Sequence, residues 1–192
     1  MLTDIIDHIR KYVKLDDNGI EAIYKYVKSL SLKRGEYLSE EGSVCKAYYF
    51  VNKGCLRMFY NNDKGLEQIV QFAIEDWWLT DYFSISTQKV SEYNIQAVEN
   101  SEVLSINYAS LIELTNEVPL LERYFRMMAE RGYAASQFRL KLIFNLSKED
   151  MYLHFNSLFP TFMQRIPLYM IASYLGITPE YLSEIRRKNA KL

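Results

Sequence analysis

The most specific spacing of residues in this chain lies within positions 171–185. Ala172 is a small residue where two helices would cross closely, and Gly176 follows four residues later, where a tight turn needs a positive φ. Thr178 can cap a following helix, and Pro179 suits the first position of that helix. This order of residues predicts a helix-turn-helix, a motif whose second helix enters the major groove of DNA.

The second helix of this motif would present the side chains that meet DNA. Arg186, Arg187 and Lys188 follow on or near it and are suited to contact phosphates, with Lys191 just beyond them. A generic helical hairpin that closes the rest of the fold is the alternative interpretation of the same stretch. The predicted DNA-binding residues are Thr178, Pro179, Glu180, Tyr181, Ser183, Glu184, Arg186, Arg187 and Lys188.

Charge is distributed unevenly along the chain. The 192 residues carry a net charge of −1, but residues 139–192 hold 8 basic and 4 acidic residues, and the remainder holds 15 basic and 20 acidic ones. An acidic body with a basic end is typical of a DNA-binding segment attached to another domain. Chance unevenness is the alternative explanation.

Cysteine and histidine are too scarce for a metal or redox centre. Cys45 and Cys55 cannot fill a four-thiolate site, and we expect both to be buried thiols. His8 and His154 are the only histidines, and none lies between residues 9 and 153, which argues against the competing interpretation of a cupin-like enzyme with metal-binding histidines on its strands. We therefore expect no cofactor, no metal and no enzymatic activity.

Outside the helix-turn-helix, the pattern of apolar residues changes along the chain from helical to strand-like and back to helical. Residues 3–29 show helical spacing of apolar side chains. Between residues 30 and 106, short β-branched and aromatic runs at 47–51, 55–60, 66–74, 93–98 and 103–106 are separated by turns. This pattern predicts an antiparallel sandwich or barrel. The rest is helical, and a connection follows Phe159-Pro160.

A long helix is predicted from Pro119 to about Leu146, with Ser147 as the cap of the next one. Its apolar residues recur at three- and four-residue steps, like a coiled-coil seam. A second apolar edge suggests two partners, the β body and the same helix of a second chain; burial within one subunit is the alternative. The seam residues predicted to contact a second copy are Leu121, Tyr124, Met128, Ala135, Phe138 and Leu142, and the second edge is Leu120, Phe125, Met127 and Ala134.

The chain shows neither an apolar run near 18 residues nor a basic-then-apolar leader. We therefore expect a cytoplasmic protein without a membrane partner.

Several short segments, in order, resemble the Crp/Fnr-type transcription regulators over nearly the whole chain. Residues 33–36 (Lys-Arg-Gly-Glu), 41–42 (Glu-Gly), 49–51 (Tyr-Phe-Val) and Gly54 resemble the first half of a cyclic-nucleotide-binding domain, and residues 97–104 resemble its closing strands. The resemblance implies an α+β fold, with a β-barrel or jelly roll flanked by helices at 1–118, a dimerisation helix at 119–146 and a small all-α helix-turn-helix domain at 147–192.

The same resemblance implies a homodimer that binds a palindromic site in double-stranded DNA. RNA polymerase and an unknown small-molecule effector are further partners that it suggests. A degenerate sensor that acts through protein contacts, without specific DNA binding, is the alternative.

The chain departs from the family where cyclic nucleotides are bound. Members that bind them usually carry Gly-Glu-Leu and then Arg-Ser/Thr-Ala, whereas the arginine position here is Ser91 and the acid position is Asp81. Glu184 also stands where the family often has a second arginine for contacting bases, so the preferred bases should differ. We expect no response to cyclic AMP. The candidate effector pocket comprises Thr80, Asp81, Tyr82, Ser91, Glu92 and Tyr93.

Overall fold

A computed structural model describes residues 2–189 of the chain. These residues form two compact units. Unit 1 comprises residues 2–60 and 71–131, and unit 2 comprises residues 61–70 and 132–189. Each unit has its own core, and the second contains the predicted helix-turn-helix.

Unit 1 begins with two helices, α1 (Leu2–Arg10) and α2 (Asp17–Tyr26). The Asp16 side chain accepts a hydrogen bond from the Gly19 backbone N–H at 2.8 Å, which satisfies a donor in the first turn of α2. The helical spacing of residues 3–29 predicted this pair, and the prediction is confirmed except at its end, where Lys28 and Ser29 begin the first strand.

The described chain contains two four-stranded antiparallel sheets, ordered β1-β8-β3-β6 and β2-β7-β4-β5. In β1–β8 pairing, Leu30 lies opposite Val103, and in β4–β7 pairing Met58 lies opposite Ile95. The predicted antiparallel β fold is therefore confirmed. The strands are β1 (Lys28–Leu32), β2 (Tyr37–Ser39), β3 (Ala47–Lys53), β4 (Leu56–Asn61), β5 (Glu67–Ala73), β6 (Trp78–Leu79), β7 (Asn94–Ala97) and β8 (Ser101–Asn107).

Two apolar clusters form the core of unit 1. One is enclosed by strand residues, among them Val51, Leu56 and Ile95, and includes the buried thiol of Cys45. Cys55 is buried as well, as expected for both cysteines. The other cluster packs strand residues against the helices and contains Ile5, Ile9, Ile23, Phe50, Leu104, Leu121 and Tyr124.

The remaining helices are α3 (Tyr82–Thr87), α4 (Tyr108–Glu117), α5 (Leu120–Asn145), α6 (Lys148–Leu158), α7 (Pro160–Arg165), α8 (Leu168–Leu175) and α9 (Pro179–Asn189). Ser147 caps α6 as predicted, since its hydroxyl accepts from the Asp150 N–H at 3.1 Å. A connection was predicted after Phe159-Pro160, but the structure has a further short helix there. Pro160 ends α6 and also suits the first position of α7.

No helix within residues 2–189 combines the length and the apolar character needed to cross a membrane.

A buried hydrogen-bonded group joins three elements of unit 1. The Trp78 indole N–H donates to the Tyr124 hydroxyl at 2.8 Å, and the same hydroxyl lies 2.8 Å from His8 Nδ1. Since the indole N–H can only donate, the Tyr124 hydroxyl accepts from Trp78 and can donate its own hydrogen bond to a neutral His8. Burial lowers the pKa of His8, partly offset by the negative charge of Asp76. The folded protein therefore favours a neutral His8.

This group predicts a pH-dependent stability. Because the folded-state pKa of His8 lies below the unfolded value of about 6.5, the unfolded chain binds a proton first as pH falls. The free energy of unfolding should thus be fully retained above pH 6.5 and should decrease from there until the folded pKa is passed. In urea titrations monitored by tryptophan fluorescence, His8→Gln should show a smaller decrease between pH 7 and 5 than the wild type. Equal decreases in both proteins would contradict the assignment.

Candidate nucleic-acid interface

The turn between α8 and α9 has the backbone geometry that the sequence predicted. Gly176 adopts the left-handed region, with φ 66° and ψ 44°. Its N–H bonds the Ser173 carbonyl at 3.1 Å, and the Ile177 N–H bonds the Ala172 carbonyl at 3.0 Å. These bonds are typical of a helix that ends at a glycine. The chain then enters α9, where Thr178 Oγ1 accepts from the Tyr181 N–H at 3.2 Å.

Small and apolar side chains hold α8 and α9 together. Ala172, Leu182 and Ile185 are fully buried, and Leu175 is nearly so. The small Ala172 permits the close approach of the two helices, as expected from its place in the motif. This packing fixes the orientation of α9 relative to α8.

Side chains from three other elements of unit 2 cap the C-terminal end of α8. Arg139 donates to the Tyr174 carbonyl at 3.0 Å, Lys148 donates to the Leu175 carbonyl at 2.9 Å, and Gln68 donates to the Ser173 carbonyl. The last carbonyls of a helix lack partners within it and form its negative end. An arginine, a lysine and an amide therefore stabilise this helix next to the turn.

Ser173 also joins α8 to the segment 61–70 of its own unit. Its hydroxyl accepts from the Ile69 N–H at 2.9 Å and donates to the Glu67 carbonyl at 2.7 Å. The Arg139 guanidinium lies 3.9 Å from the centre of the Tyr174 ring and also donates to the Val70 carbonyl. The first helix of the motif is thus held from two sides within unit 2.

The nine predicted DNA-binding residues, from Thr178 to Lys188, are all exposed. The buried side of α9 is set by Leu182 and Ile185. With about 100° between successive residues, the outward side then carries Glu180, Glu184 and Arg187. Lys191, which extends the basic cluster in the sequence, lies outside the described residues.

The helix caps were not foreseen from the sequence. Arg139 and Lys148 had been counted only as part of the basic C-terminal segment, and their partners are backbone carbonyls. Their type is consistent with a role at the end of a helix, but nothing in the local pattern indicates which helix they cap. Both side chains are committed within unit 2.

In the candidate effector pocket, the structure brings Asp81 and Ser91 together. Asp81 is 4% exposed, and its carboxylate accepts from the Phe83 N–H at 3.0 Å, the Ser84 N–H at 3.1 Å and the Ser91 hydroxyl at 2.6 Å. Asp81 therefore caps α3, and Ser91 occupies its remaining oxygen. This cluster is anionic and internally satisfied.

Of the other predicted pocket residues, Tyr93 contacts this pair through its backbone, since its N–H donates to the Ser91 hydroxyl at 3.0 Å. Thr80 is buried and donates to the Ala47 carbonyl at 2.9 Å. Tyr82 and Glu92 are exposed, and the Tyr82 ring lies edge-on to Tyr48 at 6.0 Å. Tyr93 is half-buried and packs edge-on against Tyr60 at 6.1 Å.

The predicted dimer residues divide into two groups. Leu121 and Tyr124 are fully buried in the core of unit 1, and Met128 packs against the same core, so a single copy already covers these three. Ala135 and Phe138 are exposed and Leu142 is half-buried. The side of α5 that the core covers was not distinguishable in the sequence, because α5 has apolar residues on several sides.

Comparison with known proteins agrees with this architecture. The family model described as the cyclic nucleotide-binding domain matches residues 29–117. The transcriptional regulatory protein Btr of Bordetella pertussis is 27% identical over 195 aligned residues, which cover 94% of this chain and 79% of Btr. The chain is similar to regulators of the Crp/Fnr type over most of its length.

Other Crp/Fnr-type proteins match over different lengths. The transcriptional activator protein Anr of Pseudomonas aeruginosa is 27% identical over 130 residues, which cover 67% of this chain and 51% of Anr. The chain thus matches about half the length of that relative. A crystal structure of a Crp/Fnr-family transcriptional regulator from Eubacterium rectale has a TM-score of 0.67 at 16% identity, covering 91% of this chain and 83% of that one. This likeness concerns the fold.

Proposed function

We propose that this Crp/Fnr-type chain regulates transcription as a homodimer that binds specific DNA sites. The observation that supports this most directly is the α8–Gly176–α9 arrangement, in which the outward side of the second helix is exposed and its last turn carries three basic residues. A helix presented in this way fits the major groove, and its basic residues can neutralise phosphates at the groove edges. RNA polymerase is the further partner that such a role implies.

An exposed seam on α5 supports the proposed dimer. Between Arg131 and Phe138 every residue is exposed, including Tyr133 at 68%. A Cβ added at Gly132 would meet nothing within 4 Å in a single copy, and glycine in a helix interior costs about 1 kcal/mol unless packing requires it. Residues at alternating four- and three-residue steps form the seam, namely Ala129, Tyr133, Ser136, Leu140 and Ile143.

An apolar groove in unit 1 is suited to receive a second helix beside this seam. It has a volume of about 350 Å³, and α5 contributes Glu122, Phe125, Arg126 and Ala129 to its lining. Its other walls are formed mostly by aromatic and aliphatic side chains, with Thr115 among them, and these apolar side chains favour an apolar occupant. We propose that α5 of the second copy packs along the seam and over this groove. The buried Leu121 and Tyr124 then support α5 from behind and do not contact the partner.

Two-fold symmetry would place the two copies of α9 in successive turns of the major groove, about 10 base pairs apart. The site should therefore be roughly palindromic.

Replacing both Arg186 and Arg187 by alanine should weaken binding to every DNA sequence. Each lost phosphate contact makes the slope of log K against log salt shallower by about 1, so a dimer should lose about 4. Fluorescence anisotropy with labelled duplexes at several salt concentrations measures this slope. Lys33→Ala with Arg34→Ala, which removes two exposed charges from unit 1, is the matched control and should behave as the wild type. Undiminished DNA affinity in the Arg186/Arg187 variant would refute the assignment of α9.

A second candidate function is a sensor that acts through protein contacts without specific DNA binding. The exposed carboxylates of Glu180 and Glu184 on the outward side of α9 favour it, because they repel phosphates. Footprinting on the DNA upstream of its own gene separates the two functions. A protected palindromic segment supports the first, and its absence at low salt supports the second.

A further inference from the structure

The outward side of α9 carries two carboxylates in line with one another. Leu182 and Ile185 are 0% exposed and define the buried side. Glu180 and Glu184, one helical turn apart, lie on the opposite side, and both are exposed. Base pairs that face the first half and the middle of α9 would therefore meet these two side chains, and Arg187 follows about one turn further along the same side.

Neighbouring hydroxyls are already used within the helix. Thr178 Oγ1 accepts from the Tyr181 N–H at 3.2 Å, as the cap of α9. Ser183 Oγ donates to the Pro179 carbonyl at 2.8 Å. Since these two hydroxyls are engaged, the carboxylates are the strongest hydrogen-bond acceptors left on the outward side, where Arg187 is the cationic donor.

Neither carboxylate is neutralised by the cations of the same helix. Within residues 2–189, Glu180 and Glu184 take part in no ion pair, although Arg186, Arg187 and Lys188 follow them. A carboxylate brought into a DNA groove without a hydrogen-bond donor is unfavourable, because it loses water and lies among phosphates. Specific binding therefore requires donors on the bases opposite these two positions.

An ionised carboxylate only accepts hydrogen bonds. In the major groove, donors are offered by cytosine N4 and adenine N6, but the adenine donor lies beside the N7 acceptor, which would repel a carboxylate. Cytosine is therefore the base that suits a glutamate.

Resting on the DNA-binding function proposed above, we propose that Glu184 selects a cytosine in each half-site, separate from a cytosine selected by Glu180. Four residues of α-helix rise about 6 Å, and successive base pairs are about 3.4 Å apart. The two cytosines should therefore lie about two base-pair steps apart. Glu184 is a specificity-determining residue, since a half-site without its cytosine leaves the charge unpaired.

Selection from a library of random DNA duplexes, followed by sequencing, tests this with the full-length protein. The wild type should enrich cytosine at two positions of each half-site. Glu184→Gln should reduce that enrichment about tenfold at one position, with adenine gaining because an amide can both donate to and accept from it. Glu180→Gln should affect only the other position. Glu113→Gln removes one exposed charge from α4 and should leave the profile unchanged.

The outcomes distinguish this inference from the function on which it rests. A wild-type protein that binds DNA, with a base profile that Glu184→Gln leaves unchanged, overturns the role of Glu184 and leaves DNA binding intact. Failure of the wild type to retain any duplex at low salt overturns both. Loss of enrichment at one position only, with the other retained, supports the inference.

Discussion

Replacing Tyr133 and Leu140 together by glutamate should convert the protein from a dimer into a monomer. Tyr133 is 68% and Leu140 53% exposed in a single copy, so neither substitution removes a contact from the core of its own unit. In a coiled-coil seam, four glutamates from two chains would face one another. Like charges brought together in an apolar interface are strongly unfavourable.

The loss of the dimer should also reduce DNA affinity by about a hundredfold or more. A dimer engages two half-sites at once, and a second contact of that kind strengthens binding by about 10²- to 10⁴-fold. Analytical ultracentrifugation measures the mass, and anisotropy with a palindromic duplex measures the affinity. A duplex with one half-site should be bound about equally weakly by the variant and by the wild type.

Two controls make this result specific to the seam. Tyr24→Glu with Leu66→Glu changes two exposed apolar side chains outside α5 and should leave the dimer intact. Phe138→Glu tests the edge of α5 predicted from the sequence, since Phe138 is 48% exposed but contacts the His154 ring. Unchanged dimer mass for the Tyr133/Leu140 variant would rule out the proposed seam.

The seam shows where sequence patterns stop being informative. A periodic run of apolar residues predicts a long helix, and α5 begins and ends close to the predicted positions. Which side of the helix faces the core depends on distant partners, however. Tyr124 is buried because its hydroxyl meets His8, 116 positions earlier, and Trp78, 46 positions earlier. No local repeat contains that information.

The helix-turn-helix was predictable because its signals are local. A positive φ at Gly176 and a proline at the first position of α9 follow from the backbone preferences of single residues. By contrast, the caps on the carbonyls of α8 come from Gln68, Arg139 and Lys148. These residues are 27 to 105 positions from the carbonyls they meet, so only the folded chain reveals them.

The candidate effector pocket was predictable only in part. Asp81 and Ser91 were identified from their places in the family pattern, and the Ser91 hydroxyl donates to Asp81 at 2.6 Å. The family pattern did not indicate the other hydrogen bonds of Asp81. Asp81 also accepts from two N–H groups at the start of α3, which makes it a structural cap as well as a candidate pocket residue.

Replacing Asp81 by a residue without a carboxylate should therefore reduce the stability of the folded protein more than it changes the binding of any ligand. The loss of an N-cap costs about 0.5–2 kcal/mol, and a buried Ser91 hydroxyl would lose its acceptor as well.

Within residues 2–189, Asp81 takes part in no ion pair. We therefore expect neither cyclic AMP nor cyclic GMP to bind at concentrations up to about 1 mM, which corresponds to about −4 kcal/mol of binding free energy. The phosphate of a cyclic nucleotide carries one negative charge, and its burial is unfavourable unless a cation and several donors meet it. At the position where family members carry an arginine, the Ser91 hydroxyl already donates a hydrogen bond to Asp81. A phosphate placed there would face a carboxylate that is 4% exposed and cannot turn away without uncapping α3.

Isothermal titration calorimetry with each nucleotide should give no heat of binding, and neither nucleotide should change the affinity for DNA. The DNA titration on the same sample serves as the control that the protein is active. Glu92→Ala removes an exposed negative charge next to Ser91. It should not restore binding, because the Asp81 carboxylate is still present and the substitution introduces no cation. Micromolar binding of either nucleotide, together with tighter DNA binding, would contradict this account and would mean that the phosphate is met by residues other than Asp81 and Ser91.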